Sequence, residues 1–236
     1  MVTEGSSRNT VPQDAPWGPN LSHIESSITH RQIPENPLKV KKDNKIPIAI
    51  IVENFYEDAD EVRKFALSQD FGLSGNYPGR RTKSFTNEDI KNFLQDCVYP
   101  FGGKLTYFNM DGDDPHNANG AFQYTLSFDK SWMHTDDYTN WAGLVYLTPG
   151  APISAGTGLF RYESGERWAG ENLEDRIDFG NISQDKTKWE QLDNFGNIYN
   201  RLIIFNSKHY HTSLDYFGSD VENGRLFQVF FFSTER

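Results

Sequence analysis

Apolar residues recur along the chain with two different spacings, and each spacing holds its own stretch. Residues 46–55, IPIAIIVENF, form a short isoleucine-rich run that reads as a strand. Asp58 then stands where a helix N-cap would, with Glu61 three positions later. Val62, Phe65, Ala66 and Gln69 follow at helical spacing, so a helix is expected there. A second short helix is expected after Thr86, with Asp89 in the reciprocal capping position and Ile90, Phe93, Leu94 and Cys97 on its buried side. From about residue 104 the period drops to that of strands. KLTYFNM leads into AFQYTLSF, residues 121–128, whose alternation puts Phe122, Tyr124, Leu126 and Phe128 on one face. WAGLVYLTP (141–149), GTGLFRY (156–162), NRLIIFNS (200–207) and RLFQVFFF (225–232) are further strands. Helices first and many short strands afterwards predict helices packed on an antiparallel barrel or sandwich.

Two stretches fall outside this pattern. Residues 1–45 are polar, Pro-bearing and weakly periodic, and read as an N-terminal arm ahead of a domain spanning 46–236. Residues 163–198 are charged and irregular, and read as a long insertion with a short helix around Trp189.

Composition narrows the function classes. Hydrophobic residues make up only 36% of the chain, but 18 Phe, 11 Tyr and 5 Trp are enough aromatic surface for a sizeable core. The net charge of -10 disfavours nucleic acid as a partner of the bulk surface. No apolar run reaches the about 18 residues of a membrane span. The opening MVTEGSSRNTVPQD lacks the basic and apolar regions of a signal peptide. A single cysteine, Cys97, excludes an intrachain disulfide framework and a multi-cysteine zinc site, so the cytoplasm is the expected compartment.

The chemistry concentrates in SWMHTDDY, residues 131–138. His134 and Asp136 stand at i and i+2, a spacing that can place both side chains on one side of an extended segment. Imidazole nitrogen with carboxylate oxygen suits iron(II). Asp137 is the competing carboxylate, one residue out of phase. A third ligand is available from NRLIIFNSKHYHTS as His209 or His211, which share parity, so alternation does not choose between them. Two imidazoles and one carboxylate on one face of a metal leave adjacent positions open, two for a bidentate 2-oxo acid and one for dioxygen. Arg225 opens the last strand in phase with Phe227, Val229 and Phe231. An arginine facing the interior needs an acidic partner, and the distal carboxylate of 2-oxoglutarate fits its planar fork. Tyr124 and Tyr146 are placed on strands near the metal and are candidates for holding the cosubstrate. Trp132, Tyr138 and Trp141 are candidates for lining the substrate pocket. Arg80 and Arg81 in YPGRRT are candidates for anchoring an acidic group of the substrate. The loop DGDDPHNANG lacks the EF-hand pattern, and GTGLF is not a dinucleotide fingerprint.

In the order of these motifs the chain resembles the iron(II)/2-oxoglutarate-dependent oxygenases, in particular bacterial and phage proteins near the prolyl-hydroxylase-like branch. The matching stretches are YPGRRT (77–82), WMHTDD (132–137), GLVYLTP (143–149), GTGLFRY (156–162), NRLIIFNSKHYHTSLDYFG (200–218) and RLFQVFFF (225–232), within residues 48–233. The resemblance implies a mainly β fold with flanking helices, a double-stranded β-helix or jelly roll of cupin-like form. It implies iron(II) held by His134, Asp136 and His211 rather than His209, and 2-oxoglutarate held at its far carboxylate by Arg225. It also implies hydroxylation of an unactivated carbon in a small molecule or peptide, with release of succinate and carbon dioxide. Related halogenases have Gly or Ala at the acidic ligand; Asp136 is retained here, which disfavours halogenation. The 163–198 insertion departs from the family pattern. Two rivals remain, a cupin-type metal-binding isomerase and a non-catalytic ligand-binding barrel, and the isomerase leaves Arg225 without a task.

Overall fold

Residues 47–170, 173 and 179–236 are described in this computed structural model; the arm, residues 1–45, lies outside them. Helix α1, Ala59–Leu67, starts where Asp58 Oδ1 accepts the amide of Glu61 at 2.9 Å, with Asp60 and Glu61 at the positive end of the helix dipole. Helix α2, Glu88–Gly102, is capped by Asn87, which accepts from the Ile90 amide at 2.8 Å, one residue beyond the expected Thr86 cap. Gly103, at φ 80° and ψ -150°, a conformation that favours glycine, ends it.

The strands are β1 (Ala49–Val52), β2 (Leu73–Gly75), β3 (Tyr77–Ser84), β4 (Leu105–Tyr107), β5 (Ala121–Thr125), β6 (Trp141–Tyr146), β7 (Thr157–Tyr162), β8 (Trp189–Phe195), β9 (Leu202–Asn206), β10 (His211–Ser213) and β11 (Arg225–Thr234). The larger sheet is antiparallel, in the order β1-β9-β6-β11-β5-β3-β2, with β4 also on β11; the smaller has the order β10-β7-β8. Alternation divides the larger sheet into two faces. Phe122, Val145, Leu202, Ile204, Leu226, Phe230 and Phe232 meet Ala66 of α1 and Leu94 and Val98 of α2. Leu144, Tyr146, Ile203, Phe205, Phe227, Val229 and Phe231 face the other way, toward Leu159 of the smaller sheet. The helices thus cover one face, and the opposite face is left for chemistry.

The mainly β architecture with flanking helices is present, but the expected double-stranded β-helix is not. Among the described residues neither sheet closes into a barrel: the larger ends on β1 and β2, the smaller on β10 and β8. Residues 126–140, between β5 and β6, belong to no strand of either sheet. Their backbone donors go to scattered acceptors instead: Ser127 to Gly218 O, Asp129 to Leu126 O, Met133 to Ser183 O and Asp136 to Ser207 O. One isolated bridge, His134↔His211, joins this segment to the smaller sheet. Within 163–198, Trp189 does not lie in a helix. It begins β8, which pairs with β7, after a 3-10 turn at Lys186–Lys188. No helix among the described residues is long and apolar enough to cross a membrane.

Candidate active site

His134 and His211 face each other across their bridge. His134 N–H donates to His211 O at 3.1 Å, and His211 N–H returns the bond to His134 O at 2.9 Å. Each ring is then turned by its own Nδ1, which donates to Trp132 O at 3.0 Å in His134 and to His209 O at 2.8 Å in His211. That tautomer leaves both Nε2 atoms as lone-pair donors. Asp136 completes the group, its Oδ2 lying 3.4 Å from His211 Nε2. The ligand atoms of His134, Asp136 and His211 lie within 4.8 Å of one another, close enough for one ion. Burial, aided by the charge of His211, lowers the His134 pKa to about 4, so its ring is neutral and able to ligate at neutral pH. Burial works to raise the Asp136 carboxyl, but the neighbouring His211, with His134 and Arg81, outweighs it and holds it below the usual carboxylate range. The donor set fits iron(II).

His209 has the parity of His211 but a different place. The chain turns between β9 and β10, and the His209 ring packs on Trp168 with centroids 4.5 Å apart. Its Nδ1 donates to Tyr210 O at 3.0 Å, and its Nε2 lies 3.4 Å from Arg167 Nη2.

A cavity of about 410 Å³ opens beside the triad. Leu144, Phe205, Phe227, Val229 and Phe231 form its apolar floor, and Trp132 and Tyr138 are among its walls. Arg225 lies behind Thr157 and Phe227, fully buried. Its Nε donates to Ala155 O at 2.9 Å, and its Nη2 reaches Gly156 O at 3.3 Å and Thr157 Oγ1 at 3.5 Å. The ring of Phe227 stacks 4.4 Å from its Cζ, and that of Tyr146 lies at 5.4 Å. Among the described residues Nη1 has no partner, and no carboxylate pairs with the guanidinium. A buried cation in this state suits an acidic ligand.

The other candidates separate. Tyr146 is buried on the cavity side, with its hydroxyl 3.0 Å from Thr157 Oγ1; burial raises its pKa, against the charge of Arg225. Tyr124 packs on Phe71 with the helix-side core, away from the triad. Trp141 is core as well, its Nε1 donating to Thr234 Oγ1 at 2.9 Å. Arg80 is exposed, whereas Arg81 lines the cavity. Gln123, Tyr77, Thr157, Ser131 and Ser213 also line it, and sequence reasoning passed over them. Gln123 had a signal: it has the opposite parity from Phe122 and Tyr124, and the apolar face of β5 drew attention away from it.

No family profile matches the chain, and no curated protein does. Solved structures do match. HygX from Streptomyces hygroscopicus, with nickel and 2-oxoglutarate bound, aligns at a TM-score of 0.51 and 11% identity, over 77% of this chain and 81% of that one. A prolyl-4-hydroxylase from Pseudomonas putida aligns at 0.42 and 13% identity, over 80% of this chain and 93% of that one. A prolyl hydroxylase from Trichoplax adhaerens, in complex with a hypoxia inducible factor peptide, aligns at 0.42 and 15% identity, over 80% and 84%. At 11% identity the likeness to HygX is one of fold alone. The chain shares its fold with HygX, here with sheets that stay open, and within it His134, Asp136 and His211 come together as a candidate metal-ligand set.

Proposed function

We propose that this protein is an iron(II)- and 2-oxoglutarate-dependent oxygenase that hydroxylates an unactivated carbon of a small molecule or peptide. The observation that carries the reading is the pairing of a His-Asp-His triad with a buried arginine, Arg225, whose fork lacks a carboxylate. When bound, iron(II) with 2-oxoglutarate and dioxygen would supply oxidative decarboxylation to succinate and carbon dioxide, one oxygen atom of dioxygen going to succinate and the other to the substrate. The chain's part is placement. His134 and His211 each turn an Nε2 toward the site, their Nδ1 atoms being bonded to backbone carbonyls, and Asp136 offers a carboxylate beside them. Arg225 holds the far carboxylate of the cosubstrate, and Tyr146 packs beside its guanidinium. Leu144, Phe205, Val229 and Phe231 keep bulk water from the reacting carbon. Asp136 fills the position that halogenases leave open.

A cupin-type isomerase leaves Arg225 without a task, and a domain that only binds ligands would release no succinate. The test is succinate release measured with and without iron(II), in the wild type and two variants. Succinate should form only with iron. His211→Ala should abolish it and lose iron in anaerobic titration, while His209→Ala should keep iron stoichiometry near the wild-type value. Normal iron binding and turnover in His211→Ala would remove that residue from the ligand set.

A further inference from the structure

Arg81 sits in the same cavity as the triad, on β3, directly opposite Gln123 of β5. Its Nε donates to Gln123 Oε1 at 2.6 Å, and the Gln123 amide nitrogen donates to Pro78 O at 2.7 Å. The amide is thereby fixed with its oxygen toward the arginine. The guanidinium lies over the Tyr77 ring, Cζ 3.8 Å from its centroid, with Phe231 at 5.8 Å. The ring contact and the Nε bond together hold the head group in place. What they leave is the Nη edge. Among the described residues it has no hydrogen bond, and no carboxylate pairs with it. Asp136 is near enough to be felt but is turned to His211.

We infer that Arg81 is the substrate anchor, and that the substrate is an organic acid whose carboxylate docks on the Nη edge while its carbon chain lies along the aromatic walls toward the triad. The inference rests on the oxygenase reading and gives it a substrate class. A planar monoanion matches one planar fork with one positive charge. Arg81 is the only Lys or Arg among the described residues that line the cavity, which leaves no second cation for a phosphate dianion. Tyr77, Trp132, Tyr138 and Phe231 suit an apolar or aromatic chain. Arg225 is a separate group behind Thr157 and Phe227, so the two arginines do not compete for one carboxylate.

The test uses the full chain, loaded anaerobically with iron(II) and 2-oxoglutarate. The probes are a panel of aliphatic and aryl monocarboxylic acids, each paired with the primary amide of the same skeleton, with dissociation constants read by ligand-observed NMR. In the wild type at least one acid should bind about tenfold or more tightly than its amide. That preference should vanish in Arg81→Gln and persist in Arg80→Gln, while the 2-oxoglutarate dissociation constant stays near the wild-type value in both. Gln123→Glu, which puts a carboxylate against the intact guanidinium, should also abolish the preference and serves if Arg81→Gln does not fold. A panel in which no acid outbinds its amide, or a preference that survives both Arg81→Gln and Gln123→Glu, overturns the assignment. If the wild type binds 2-oxoglutarate normally in that case, only the anchor is lost. Failure of the wild type to bind 2-oxoglutarate would bring down the oxygenase reading and this inference with it.

Discussion

Arg225 is fully buried yet pairs with no carboxylate among the described residues. Leaving a charge in that state costs several kcal/mol unless a ligand relieves it. Arg225→Ala should therefore weaken 2-oxoglutarate binding by about 2–5 kcal/mol while iron titrates as in the wild type. An unchanged dissociation constant under anaerobic conditions would take Arg225 out of the cosubstrate site. Its position was legible because its parity with Phe227, Val229 and Phe231 turns it inward. The triad was legible for a similar reason, since ligands at i and i+2 announce themselves. Parity failed at the histidines after β9, where the chain turns and His209 goes to Trp168. Tyr124 shows the opposite case, where parity grouped it with Phe122 on the helix-side face. Proximity to the motif suggested the site, but that face of β5 belongs to the helices, and the cavity takes Gln123 instead.

At the scale of elements, runs with strong apolar periods were readable and polar strands were not. β6, β9 and β11 are almost wholly buried, so their Val, Ile, Leu and Phe had to be apolar. β8, WEQLDNF, is an outer strand rich in residues that are poor strand formers, and its ladder with β7 is what holds it. β3 was hidden by YPGRRT, which has no alternation of apolar residues to mark it. Gly79 lets that strand lie against β5. It has φ 74°, and a Cβ there would stand 1.8 Å from Tyr124 O. Gly79→Ala should cost more than the about 1–2 kcal/mol of left-handed strain alone, because backbone must also move. Chemical denaturation will measure the loss, and iron affinity should persist because no ligand lies on β3. Wild-type stability in this variant would mean that β3 tolerates a shift away from β5.

For the whole molecule, the two faces of the larger sheet divide stability from chemistry. Phe230 and Phe231 are neighbours, but Phe230 packs among α1, α2 and the helix-side core, whereas Phe231 lines the cavity. Phe230→Ala should lower stability by about 3–5 kcal/mol, read by urea unfolding, with iron stoichiometry unchanged in the protein that remains folded. Iron loss in the folded fraction would show that the two faces are coupled. The global topology was the least legible feature. A closed roll was expected, but whether residues 126–140 continue a ladder depends on where their amides find acceptors, and those acceptors lie at Gly218, Ser183 and Ser207, far off in sequence.

The bridge between His134 and His211 has a consequence for motion. The same two residues supply a pair of reciprocal backbone bonds and two of the three candidate ligand side chains. A bound ion would act as a rivet through that rung, so local opening there requires release of the ion. Amide hydrogen exchange at His134 and His211 should slow by up to about a hundredfold when metal is present at a hundred times its dissociation constant, while amides of Val145 and Ile203 in the larger sheet keep their rates. Equal protection with and without metal would mean that the rung stands without the rivet. The exchange rate of two backbone amides thus becomes a gauge of metal occupancy that needs no turnover and no substrate.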